Sequence, residues 1–111
     1  MKEYLTLAEA LNGLRERGFT HDFNRREEAP EGWQNTRKFS RNEYEIVEFH
    51  RFEGMSNPSD NSIVYAIESK KHKRKGVLVN SYSANSDTFA SELASRFPFA
   101  EHIEKRAGYL S

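Results

Sequence analysis

Residues 43–83 read EYEIVEFHRFEGMSNPSDNSIVYAIESKKHKRKGVLVNSYS, and this stretch decides the fold. Three runs rich in Val, Ile, Tyr and Phe occupy Glu43–Glu53, Ser62–Ser69 and Gly76–Ser83. Between them lie GMSNPSDN, a turn cluster, and KKHKRK, a wholly basic run. Alternating β-formers bounded by turn residues predict consecutive strands joined as an antiparallel meander. In SIVYAIES, Ile63, Tyr65 and Ile67 share one face and Val64 and Ala66 the other, as in a central strand. In the first strand the alternation slips. Tyr44 and Ile46 share a face, Val47 and Phe49 share the other, and Phe52 returns to the first, so either a bulge near Val47-Glu48 or a strand covered on both faces is expected.

Outward from the strands, two helices are predicted. Thr6-Leu7-Ala8-Glu9 fits a capping box, and Leu7, Leu11 and Leu14 form a stripe that ends at Gly18, a C′ glycine with Phe19 placed to close on Leu14. At the other end, Ser86 or Asp87 can cap a helix whose stripe is Phe89, Leu93 and Phe97, and Pro98 interrupts it. Phe19–Phe23 alternates with period two and makes a possible fourth strand. Residues 24–42 are charged and aperiodic and read as a long loop anchored by Trp33 and Phe39, with Ser40–Glu43 a second capping box opening a single turn. The expectation is therefore α+β: a three- to four-stranded antiparallel meander with the N- and C-terminal helices packed on one face. A single domain would span residues 1–97, with 98–111 a C-terminal extension, partly ordered at best.

Composition narrows the function classes. The 111 residues suit one domain, and 36% hydrophobic content with a mean hydropathy of −0.89 implies a small core. Formal net charge is zero, which removes any global attraction to nucleic acid or membrane. Locally, Glu43, Glu45, Glu48, Glu53, Asp60 and Glu68 face only Arg51 across 43–68, before the basic run. The absence of cysteine excludes disulfides, thiolate metal sites and a Cys nucleophile. Neither a signal-peptide pattern nor a membrane-length apolar window occurs, so a soluble cytoplasmic protein is expected.

GFTHDFN (Gly18–Asn24), RFEGMSNPSD (Arg51–Asp60), SIVYAI (Ser62–Ile67) and KGVLV (Lys75–Val79) recur in that order in a family of small bacterial proteins, which the chain resembles over roughly residues 1–97. It departs from that pattern at KKHKRK and after Pro98. The family often carries the label phosphoribosylpyrophosphate synthetase, and the resemblance implies an enzyme acting on a phosphorylated, phosphoribosyl-type substrate. Such chemistry needs Mg²⁺ ligands and a loop of backbone amides for phosphates. Here Glu27-Glu28 is followed by Ala29-Pro30-Glu31, and neither GxxxxGK[ST] nor GxGxxG occurs. The residues themselves thus lean against an enzyme.

Candidate site residues fall into two sets. His21-Asp22 with His50, Arg51 and Glu53 form a candidate polar ligand patch. The plainer alternatives are a hydrogen-bonded histidine beside Phe19 and Phe23 and cross-strand ion pairs on a wet face. No other ligand spacing accompanies them, so neither a metal nor a cofactor is expected. Lys70, Lys71, Lys73, Arg74 and Lys75 form a cationic hairpin tip able to meet phosphates, or a solvated tip that deters edge aggregation. No RNP-type aromatic motif, zinc knuckle or GXXG loop supports nucleic acid. A non-catalytic domain binding a protein or small-molecule partner leads, with a nucleic-acid or phosphate-binding protein as the first alternative and the phosphoribosyl-type enzyme as the second.

Overall fold

The computed structural model describes residues 4–35, 37–52, 61–81 and 88–103. The elements are α1 (Leu7–Glu16), β1 (His21–Asp22), a 3₁₀ turn (Arg26–Glu28), β2 (Glu45–Phe52), β3 (Ser62–Ser69), β4 (Arg74–Ser81) and α2 (Thr88–Arg96). The class is α+β, with one four-stranded sheet ordered β1-β4-β3-β2.

Helix α1 has both ends that its sequence specifies. The Thr6 hydroxyl accepts from the Glu9 amide at 3.1 Å. At the far end Phe19 N donates to Leu14 O at 2.9 Å and Gly18 N to Arg15 O at 3.0 Å, which is the Schellman pair. Gly18 takes φ +100°, a conformation that suits glycine. The second capping box is reciprocal: Glu43 N donates to Ser40 Oγ and Ser40 N to Glu43 Oε1.

Strands β2, β3 and β4 form the expected meander. The sheet as a whole is mixed rather than purely antiparallel, because β1 pairs parallel with β4 through His21–Gly76 and Asp22–Val77. This also explains the long segment 24–42. β1 and β2 run in the same direction at opposite edges, so the chain must recross the sheet between them, and a crossover needs a dozen residues or more. That arm packs on the α2 side: Trp33 meets Phe89 edge-on at 4.8 Å, and Phe39 stacks on Phe97 at 5.6 Å.

The helices do not share a face. Ala10 and Leu14 of α1 pack with Val64 and Ala66, flanked by Val47, Phe52, Val77 and Val79. Phe89, Ala90 and Leu93 of α2 pack with Ile46, Ile67 and Leu78 on the other side. One-sided coverage is therefore corrected to a sheet between two helices. The reason is β3, which is apolar on both faces and buried at Ser62–Val64, Ala66, Ile67 and Ser69. Each helix stripe is narrow and covers only one of those faces.

The register shifts between Ile46 and Glu48, as expected, but with a different consequence. Phe49 stays with Ile46 on the α2 face, opposite Tyr65, whereas Phe52 turns to the α1 face with Glu48 and His50. After α2 the chain stays on the body: Ile46 N donates to Pro98 O, Ala100 N donates to Ile46 O, and Ile103 is buried in the α2-side core. The proposed caps Ser86 and Asp87 lie outside the described residues.

Candidate functional site

The structure separates the first candidate set. β1 and β2 are opposite edges of the sheet, three strand spacings or about 14 Å apart, so His21 and Asp22 do not meet His50 and Arg51. Glu53 lies outside the described residues. His50 is on the α1 face and exposed Arg51 on the other.

At the β2 edge an interior charge cluster forms. Glu48 is buried, and both its oxygens accept from Arg17, from Nη1 at 2.9 Å and Nη2 at 2.7 Å. His50 Nε2 lies 2.5 Å from Glu48 Oε2, and its side chain is only 10% exposed. The Tyr4 ring meets the His50 ring edge-on at 4.9 Å, and its hydroxyl accepts from Arg17. The Arg17 guanidinium, more than any other group, holds the Glu48 carboxyl below its ordinary range, against the opposing pull of burial. Arg17 itself is pushed up by the same bond. Chemically this is a tie between the end of α1 and β2. Gly13 permits it, because a Cβ there would sit 2.4 Å from the Tyr4 ring.

At the β1 edge, His21 Nδ1 lies 3.2 Å from Glu28 Oε1, which also accepts from the Asp22 amide. That carboxylate covers the outward N–H of β1 and blocks further strand pairing there. Asn24 extends the pairing without being a strand residue. Its side-chain amide donates to Val79 O and accepts from Val79 N, both at 2.8 Å.

Asp22 points the other way, toward α1, into a hollow of about 190 Å³ that Leu11, Arg15, Thr20, Val77 and Val79 also line. No group of three or more His, Asp or Glu able to hold a metal occurs among the described residues.

The basic run divides by register. Ser69 pairs with Arg74, so only Lys70–Lys73 form the turn. Lys75 is not at the tip. Its ammonium lies 4.5 Å from the Phe19 ring centroid and donates to Arg17 O at 3.2 Å, capping α1. Arg74 reaches the Tyr44 hydroxyl, and His72 stacks on the Tyr44 ring at 5.5 Å. Lys70, Lys71 and Lys73 are exposed.

Sequence reasoning missed Glu48, Arg17, Tyr4, Asn24 and Arg15 as members of these sites. The one signal for Glu48 was an acid beside a suspected bulge. Comparison of the chain with family models, with curated proteins and with solved structures returns no match.

Proposed function

We propose that this chain is a small non-catalytic binding domain that docks an acidic protein segment through the β3–β4 turn. One observation carries the reading. Charge pairs at the two sheet edges are engaged in ties between elements, Arg17–Glu48–His50 at one edge and His21–Glu28 at the other. Lys70, Lys71 and Lys73, by contrast, project together from one four-residue turn. Carboxylates flank that turn: Glu45 and Glu101 share a hollow with Lys70, and Glu31 and Glu43 share one with Lys71. A short acidic segment fits such a point of charge, whereas an extended polyanion meets repulsion on both sides.

The three exposed lysines also support a second reading, in which the turn contacts the phosphates of a nucleic acid. The phosphoribosyl-type enzyme suggested by the family resemblance stands as a third, and a cytoplasmic location belongs to the same proposal. Among the described residues no helix is long and apolar enough to cross a membrane.

Fluorescence anisotropy with a labelled tetra-L-glutamate peptide and with single-stranded oligonucleotides separates the first two readings. The lead reading predicts binding of a short glutamate peptide that is lost on replacing Lys70, Lys71 and Lys73 by Gln, with oligonucleotide binding weak. Tight oligonucleotide binding with a log–log salt slope near −2, about 0.7 per lysine, would favour the second. AMP formed from ATP, Mg²⁺ and ribose 5-phosphate, and lost on mutation of a residue of this chain, would establish the third and overturn the lead.

A further inference from the structure

The hollow between α1 and the β1 edge holds two opposite charges that do not meet. Arg15 follows Leu11 by one helical turn, so both lie on the flank of α1 that faces β1. Asp22 is fixed opposite by its pairing with Val77 and by the Asn24 amide, which donates to Oδ1 at 3.0 Å. Oppositely charged neighbours elsewhere in this chain pair directly, as in Arg17–Glu48, Arg25–Glu27 and Arg37–Glu43. Among the described residues, the Arg15 guanidinium and Asp22 Oδ2 have neither each other nor another side chain as partner. Leu11, Val77 and Val79 supply an apolar floor, and Phe19, Thr20, His21 and Asn24 complete the lining.

We infer that this hollow is a binding site for a small zwitterion of the free α-amino-acid class with an aliphatic side chain. A carboxylate would take the Arg15 fork, an ammonium the free oxygen of Asp22, and the side chain the apolar floor. The volume, about 190 Å³, lies below the usual range for drug-sized ligands and suits a molecule of this size. The arrangement selects by complement. A lone carboxylate leaves Asp22 facing apolar ligand surface, and a lone amine does the same to Arg15. The site lies at the β1 edge and is independent of the docking proposed for the Lys70–Lys73 turn.

The test is a ¹H–¹⁵N titration of the full chain with L-leucine, isovalerate and isopentylamine. Leucine should give saturable shifts at Thr20–Asn24 and at Arg15 Nε, with both analogues at least about tenfold weaker. Arg15→Gln and Asp22→Asn should each weaken leucine by about tenfold or more, and the Lys70, Lys71 and Lys73 variant should bind it normally. Asn at position 22 keeps the oxygen that accepts from Asn24. If that variant fails to fold, Arg15→Gln and the two analogues decide alone. No saturable leucine shift at millimolar concentration, shifts confined elsewhere, or isovalerate binding as tightly as leucine would overturn the inference.

Discussion

Replacing Arg17 by Ala should destabilise the domain by about 2 kcal/mol. The substitution removes two charge-assisted bonds, at 2.9 and 2.7 Å, and leaves Glu48 interior with His50 as its one partner among the described residues. Breaking a fully buried pair costs about 3–5 kcal/mol. Here the Glu48 side chain is 6% exposed but that of Arg17 is 42% exposed, so solvent screens part of the field and roughly half that figure applies. Unfolding entropy of about 2.1 cal/mol/K per residue, over 111 residues, converts this to a fall in Tm of about 9 °C. Arg17→Lys keeps the charge without the fork and should cost about 1 kcal/mol. Arg15→Ala, at a guanidinium with no side-chain partner among the described residues, should stay within about 0.5 kcal/mol. Urea and thermal unfolding of the three variants, with a cycle through Glu48→Gln, measure the coupling directly. Equal costs for Arg17→Ala and Arg15→Ala, or no coupling to Glu48, would refute the reasoning.

Three further outcomes are expected. Asn24→Ala removes both bonds to the Val79 backbone and should cost about 2 kcal/mol, with faster hydrogen exchange at the Val79 amide as the local readout. Gly76→Ala places a Cβ 2.6 Å from His21 O and 2.7 Å from the Phe23 ring; it should cost about 3 kcal/mol and detach β1, seen as lost protection at Phe23. The lowered pKa of Glu48 means that its contribution is complete above the ordinary carboxylate value and disappears as pH falls through the folded-state value. Acid titration should therefore show wild-type stability falling more steeply than that of Glu48→Gln in that window, and parallel curves would contradict it.

Whatever depends on near neighbours was legible in the sequence. Thr6 and Gly18 bound α1 because caps are made within one turn, and Ser40–Glu43 closed its box for the same reason. The β2–β3–β4 meander follows from alternation and turn residues. Features set by distant pairings were not. β1 reads as a strand, but its parallel seat beside β4 depends on where the 24–42 arm recrosses the sheet. The bulge was visible, yet which face received Glu48, His50 and Phe52 depended on pairing with β3. Lys75 reads as part of a basic tip, and only register moves it beneath α1. Asn24 reads as a loop residue because a side chain standing in for a strand's backbone leaves no periodic trace.

The most direct test of the docking proposal is a chemical-shift map of the ¹⁵N-labelled chain titrated with a tetra-L-glutamate peptide at low salt. The proposal predicts saturable shifts concentrated at Ser69–Arg74, fading as salt is added, with Glu48 and His50 unmoved. An unperturbed turn, or shifts centred on the Glu48–His50 edge instead, would contradict it.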